Sequence, residues 1–257
     1  MANYHIGVIT PEQFIAEHTF AYIIKGEMHL YDGNSSHVLR SGEYGLARRN
    51  RLIRFKKDKV NGELEKVFVF FDEPFLKMFQ EKHKTKKTIF KPVETLLPIA
   101  ANMLVSPFIQ SLLPYYNHGV INSAFADLKR EELLIILLQA QPNLAGVFFD
   151  YGIPAKINIE EFMNRNFKFN VSINRFAYLT GRSLSAFKRD FKQIFNDTPN
   201  HWLVQRRLQE AYFLIEKMNK KPSDIYLELG FETLPHFSYT FKKRFGFAPS
   251  QLLLANK

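Results

Sequence analysis

Two stretches near the C-terminus share one pattern in the same register. FKRDFKQIFNDTP (Phe187 to Pro199) and, fifty positions later, FSYTFKKRFGFAP (Phe237 to Pro249) both obey F-x3-F-K-x2-F-x3-P. Phenylalanines at i, i+4 and i+8 fall along one side of an α-helix and form an apolar ridge. A glycine precedes each copy, Gly181 and Gly230, and closes a short apolar-patterned segment. Glycine adopts the left-handed conformation that ends a helix within one residue. Each copy therefore reads as a helix-turn-helix, whose second helix is anchored by its ridge and projects its opposite face. That face carries Ser185, Lys188, Arg189 and Lys192 in the first copy, and His236, Ser238, Tyr239, Lys242 and Lys243 in the second. A polar, basic helix face suits the major groove of DNA, where each base pair shows a distinct donor and acceptor pattern. One such pattern is common among helical proteins, whereas two matched basic copies joined by one long helix are a specific signal.

The charge distribution points the same way. Net charge is +10 over 257 residues. Residues 156–257 carry 17 Lys and Arg against 9 Asp and Glu, while residues 1–155 carry 18 against 16. Positive charge gathered on the last hundred residues is expected of a polyanion binder. The chain has no cysteine, which excludes disulfides, thiolate zinc sites and cysteine nucleophiles. MANYHIGVIT (Met1 to Thr10) lacks the basic and apolar regions of a signal peptide. The longest apolar run, LLIILL (Leu133 to Leu138), falls far short of the ~20 residues of a membrane span. A soluble, cytoplasmic protein without membrane contact is expected.

The length allows two domains. Residues ~5 to 72 read as short strands with glycine-containing turns, among them HTFAYIIK (His18 to Lys25), EMHLY (Glu27 to Tyr31) and LEKVFVFF (Leu64 to Phe71). Such spacing predicts a β-sandwich or small barrel. PFLKMFQE (Pro74 to Glu81) predicts a short helix, followed by the basic loop KHKTKK (Lys82 to Lys87). Helical patterns follow at Val93 to Pro114 and at Asn122 to Ala140, the latter with Ser123 as cap. LAGVFFDYGIP (Leu144 to Pro154) reads as the junction. Beyond it all is helical: a capping box at Asn158 and Glu161, caps at Ser172, Ser183, Ser223 and Thr233, and a long helix from His201 to Lys217. The fold class is α+β, with a first domain at 1–145, a linker at 146–156 and a two-motif domain at 157–257.

These residues carry a family resemblance. Asn158 to Leu252 resembles the DNA-binding domain of the AraC/XylS transcription regulators. RLQEA (Arg207 to Ala211) with Leu214 resembles the linker-helix signature of that family. Ile225, Gly230, Phe231, Phe237, Phe241, Lys242, Gly246 and Pro249 follow its second helix-turn-helix signature. Tyr226 departs from it, standing where the family has a small residue. So do Leu234 and Pro235, at the start of the second recognition helix where relatives present polar readers. The resemblance implies a sequence-specific activator in which Ser185, Lys188, Arg189, His236 and Tyr239 read bases. Phosphate contacts are expected from Ser183, Lys192, Thr233, Lys242 and Lys243. Two recognition helices on one chain would enter major-groove segments about one helical turn, ~34 Å, apart. Promoter DNA, RNA polymerase and a second copy of the chain are the implied partners.

FAYIIKGEMHL (Phe20 to Leu30) with SGEYG (Ser41 to Gly45) resembles, more loosely, the cupin-like sensor halves of that family. Its interior is expected to gather Phe20, Tyr22, Tyr44, Phe55, Phe68 and Phe70, and to hold a small effector or simply fill the core. His18, His29 and Glu27 are candidate metal ligands, but no HxH pair exists and ordinary, partly exposed histidines are expected. No cofactor and no catalytic residue is expected. RRNRLIR (Arg48 to Arg54) and KKDK (Lys56 to Lys59) read as a solvated edge, an anionic effector site or an auxiliary phosphate contact. Residues ~122 to 141 are the expected dimer helix, and a regulatory protein could replace a small effector. Two other readings stay open: a cupin-type metal enzyme fused to a DNA-binding domain, and a nonspecific architectural DNA binder.

Overall fold

The computed structural model describes residues 3–6, 13–56, 64–92, 94–117, 120–121 and 123–255, and the chain divides into two compact units, Met1–Ile153 and Pro154–Lys257. The first unit runs β1 (Asn3–Ile6), β2 (Phe14–Ile15), β3 (His18–Lys25), β4 (Glu27–Tyr31), β5 (Ser36–Arg40), β6 (Tyr44–Ala47), β7 (Arg51–Leu52), β8 (Arg54–Lys56) and β9 (Glu65–Phe71). Then come α1 (Glu73–His83), β10 (Leu96–Pro98), α2 (Val105–Leu112), β11 (Tyr116–Asn117), β12 (Val120–Ile121), α3 (Ser123–Ala140) and α4 (Ala145–Phe148). Among the described residues, the largest sheet has the order β10-β6-β3-β9-β1-β12-β11, accompanied by β5-β4-β8 and the pair β2-β7.

β3 lies antiparallel between β6 and β9, with Phe20 opposite both Leu46 and Val69. On that face Phe20, Leu46, Val67, Val69 and Phe71 pack under Phe75 and Phe79 of α1, Phe108 of α2 and Leu133 of α3. On the other face Ala21, Ile23 and Phe68 close on Met28, Leu30, Leu39 and Ile53. β3 has no water-facing side along most of its length, so its sequence is an apolar run rather than an alternation. The six aromatic residues expected to share one interior are therefore divided. Phe20, Tyr22 and Tyr44 belong to the helix-covered side, Phe68 and Phe70 to the other, and Phe55 is 41% exposed.

Three further expectations are corrected. Within 94–114 the chain forms an edge strand and one α-helix that passes into a 3-10 turn at Leu113: Leu96–Pro98 pairs with Gly45 to Ala47 on β6, a distant partner that local periodicity does not register. Position 93, like 122, lies outside the described residues, and α3 starts at Ser123 itself. The first half of the stretch read as a junction is instead core, and the boundary between the two units falls at its end, after Ile153. Leu144, Ala145, Val147, Phe148 and Phe149 are buried in the first unit, because their apolar side chains complete the cluster around Phe71 and Phe79.

The second unit is helical throughout: α5 (Ile159–Asn166), α6 (Ile173–Leu179), α7 (Leu184–Phe195), α8 (Pro199–Met218), α9 (Pro222–Ile225), α10 (Leu234–Phe245) and α11 (Pro249–Ala255). Side chains cap five of them. Asn158, Ser172, Ser183, Thr198 and Thr233 each accept from the backbone N–H three residues on. A cap of this kind satisfies a donor that the first helical turn leaves unpaired and contributes about 1 kcal/mol. Ser223 does not cap. The short α9 starts one residue earlier, with Pro222 in its first turn, and the Ser223 hydroxyl turns to Asp224 Oδ1 at 3.1 Å. Proline also opens α8 and α11, where its fixed φ and missing N–H cost nothing.

Candidate nucleic-acid interface

The repeated pattern becomes two equivalent supports for a projecting helix. In α7, Phe187 and Phe191 are fully buried, and the Phe195 ring lies tilted against Phe191 at 4.4 Å and against Trp202 of α8 at 4.6 Å. In α10, Phe237 and Phe241 are fully buried, and Phe245 lies 4.6 Å from Phe241 and 4.9 Å from Tyr212 of α8. Burial of each ring stabilises its anchor by about 2–3 kcal/mol. Trp202 and Tyr212 are ten residues apart on one helix, about 15 Å along its axis. One rigid spine thus carries both anchors.

The turns require their glycines. Gly181 has φ +68° and a Cβ there would meet the Ala155 carbonyl carbon at 2.5 Å. Gly230 has φ +84°, and its Cβ would lie 2.8 Å from the Arg207 guanidinium carbon and from the Lys168 carbonyl. That close approach has a purpose. Arg207, 8% exposed, donates to the carbonyls of Phe167 (2.7 Å), Phe169 (2.8 Å) and Gly230 (2.9 Å). The family's linker-helix arginine is here a clamp between α8, the chain after α5 and the second turn. Burial lowers its pKa to about 10, where the carbonyls still meet a charged donor at neutral pH.

On α7, Ser185, Lys188, Arg189 and Lys192 are all exposed. Ser185, Arg189 and Gln193 follow at four-residue spacing along the outward crest. Lys188 and Lys192 stand to one side, lining a recess of about 390 Å³ that Thr198, Pro199 and Asn200 at the start of α8 close off. On α10, Pro235, His236, Tyr239, Lys242 and Lys243 are exposed, Tyr239 by 69%, whereas Ser238 is half-buried. Leu234 packs against the core around Phe237 and is not on the crest, so Pro235 is the only apolar residue that α10 presents in its first turn among the described residues. Tyr226 is absorbed by the same core. Ser183 and Thr233 hydroxyls accept from Ala186 and His236 N–H at 3.3 Å, which leaves each its own O–H to donate.

Gln193 and Arg244 were not singled out from the sequence. Both are exposed on the recognition helices. The fifty-residue offset of the repeat, applied to Lys243, identifies Gln193 directly.

In the first unit the candidate metal ligands do not converge. His18 is 2% exposed, its ring edge against Phe148 at 5.6 Å, and its Nδ1 accepts from the Arg49 N–H at 3.4 Å. It is not a partly exposed histidine. Burial, with Arg49 and Arg48 nearby, holds its pKa down to about 3, so the ring is neutral. His29 instead pairs with Glu27 at 3.1 Å on β4. Among the described residues no three His, Asp or Glu side chains could share a metal ion. Several arginines of RRNRLIR are engaged within the fold. Arg48 donates to the Glu94 carbonyl (3.0 Å), Arg49 to Glu73 (2.9 Å), and Arg54 lies over the Tyr31 ring (5.1 Å). Residues 57–59 of KKDK lie outside the described residues. No described helix is long and apolar enough to cross a membrane.

Residues 18–147 match the family model described as the ExsA N-terminal regulatory domain, and residues 176–254 match one described as a helix-turn-helix domain. The HTH-type transcriptional regulator ExsA of Pseudomonas aeruginosa is 24% identical over 253 residues, 96% of this chain and 90% of that protein. The virulence regulon transcriptional activator VirF of Yersinia enterocolitica is 28% identical over 161 residues, 62% of this chain and 59% of its own length. The match to VirF therefore spans less than two thirds of that relative. The structure of ToxT from Vibrio cholerae overlays with a TM-score of 0.39 at 13% identity, over 95% of this chain and 92% of that one.

Proposed function

The chain belongs to the AraC-type transcriptional regulators that carry an ExsA N-terminal regulatory domain, and from that premise we propose that it activates transcription by reading two adjacent major-groove segments of a promoter. The observation that carries the reading is the pair of helices, α7 and α10, anchored by equivalent Phe ridges on one spine with exposed polar and basic crests. A nonspecific binder has no need of two such matched, rigid platforms.

In this reading Ser185, Lys188 and Arg189 on α7, with His236 and Tyr239 on α10, contact base edges. Ser183, Lys192, Thr233, Lys242 and Lys243 contact phosphates and set the register. The helix N-termini add their own N–H groups and positive dipole ends. The position of Lys188 beside the recess at the start of α8 favours a phosphate contact for it as well. The first unit acts as sensor and dimerisation element in the cytoplasm, answering a small molecule or a regulatory protein, and RNA polymerase is the downstream partner. Dimerisation falls on α3, whose Phe125 and Leu128 are 42% and 60% exposed.

Selection of bound duplexes from a random pool by the full chain at near-physiological salt tests the proposal. A bipartite motif with half-sites about 10 base pairs apart is expected. Enrichment of one half-site alone would reduce α10 to a backbone clamp. No enrichment, with steeply salt-dependent binding, would overturn sequence reading in favour of architectural binding.

A further inference from the structure

The first recognition helix holds a polar contact that the second lacks. Asp190 follows Arg189 on α7, and its carboxylate lies between two guanidinium groups. Oδ2 accepts from Arg182 Nε at 3.1 Å, while Oδ1 accepts from Arg189 Nε at 3.2 Å and Nη2 at 3.0 Å. Arg182 is itself fixed from behind. Its Nη1 donates to the carbonyls of Thr180 (2.6 Å) and Ile157 (2.8 Å), and its side chain is only 10% exposed. A chain of contacts thus runs from the backbone through Arg182 and Asp190 to Arg189, whose own side chain is 69% exposed.

An arginine offers five N–H donors on two separate edges. Asp190 occupies the side edge of Arg189, made by Nε and Nη2. The end edge, made by Nη1 and the outer N–H of Nη2, has no partner among the described residues. That end edge offers a parallel pair of N–H donors that matches the O6 and N7 acceptors of guanine in the major groove. A long side chain held in place before binding also loses less rotamer freedom on binding.

We propose that Asp190 is a positioning residue that aims the end edge of Arg189 at a guanine in the half-site read by α7. The proposal rests on the reading of α7 as a base-reading helix. The second copy supports it by contrast. Its equivalent positions are Tyr239 on the crest, Thr240, whose hydroxyl donates to the His236 carbonyl at 2.7 Å, and Glu232, which accepts from Asn170 at 3.1 Å. No carboxylate on α10 stands behind a crest arginine, so the sharpest base preference belongs to the α7 half-site. Asp190 adds no bare negative charge near DNA, because the two guanidinium groups that hold its carboxyl below the usual range also neutralise it.

The test compares motifs selected from a random duplex pool by the full-length wild type, Arg189→Ala, Asp190→Asn and the double variant, with thermal denaturation as the control of fold. A guanine preference of about tenfold or more is expected at one pair for the wild type. Both single variants should flatten that pair and no other, and the double variant should be no flatter than Arg189→Ala. If Arg189→Ala flattens the pair and Asp190→Asn does not, the positioning role is overturned while base reading stands. An unchanged motif with Arg189→Ala overturns the underlying reading itself. Uniform loss of affinity with Asp190→Asn would make Asp190 merely structural, and uniform gain would make it a restraint on Arg189, each against the proposal. Should Asn cost the fold, Asp190→Glu keeps a charge for Arg182 but moves the acceptor by one methylene. It should weaken that one preference, and an unchanged preference would overturn the proposal.

Discussion

Arg207 and Gly230 show how a sequence signature turns into a single contact. The arginine satisfies three buried carbonyls at once, and the glycine is what lets its guanidinium approach the turn. Gly230 meets two requirements, a positive φ and room for the guanidinium, and a second glycine with only the first separates them. Gly246, which ends α10, has φ +88° but nothing within 4 Å of an added Cβ. Gly246→Ala should therefore cost about 1–2 kcal/mol, the left-handed penalty alone. Gly230→Ala incurs that penalty and also displaces Arg207, which leaves buried carbonyls unpaired at about 1–3 kcal/mol each. Its total should exceed that of Gly246→Ala by at least about 2 kcal/mol. Urea unfolding followed by the fluorescence of Trp202, the single tryptophan and a ring packed on Phe191 and Phe195, reports on this unit. Equal costs would show that the close approach has no energetic weight.

The elements differ in how far the sequence reveals them, and the reason is the range of the interactions that shape them. α7 and α10 are legible because caps, ridge and stop lie within fourteen residues: Ser183 or Thr233, three phenylalanines, and Asn196 or Gly246 in the left-handed conformation. β10 is not, because an edge strand exists only through its pairing with β6, some fifty residues away. The stretch around Phe148 looks like a glycine-bearing linker, yet its apolar residues are core to the sheet before it. Within the interface, the crest residues follow from the wheel, but the Asp190 contacts do not, since Arg182 lies outside the repeat pattern. α3 is a third kind. Its apolar run is buried at Leu133, Leu134 and Leu137, but Phe125 and Leu128 are exposed. If that outer side is the dimer contact, Leu128→Asp should convert a dimer to a monomer in sedimentation equilibrium while the circular-dichroism spectrum of the folded chain is unchanged. A variant with wild-type mass would remove α3 from the interface.

At the scale of the whole chain, the division of charge is a division of labour. Nearly all the excess of Lys and Arg belongs to residues 156–257, while the first unit is close to neutral. Such a chain finds DNA by the potential of one unit. The potential acts through phosphate contacts, and each contact releases condensed counterions, so log K falls with log salt by about 0.9 per contact. In the proposed reading Lys192, Lys242 and Lys243 imply a slope of about −2.7, and a phosphate contact by Lys188 would steepen it further. Lys242 lies in the last turn of α10, away from the first-turn residue His236 that contacts a base edge in this reading. Lys242→Ala should therefore make the slope shallower by about 0.9 and weaken selected and scrambled duplexes by the same factor. Fluorescence anisotropy titrations of both duplexes between about 50 and 200 mM salt measure both quantities. Loss confined to the selected duplex would make Lys242 a base reader, and an unchanged slope would take it off the phosphate backbone altogether.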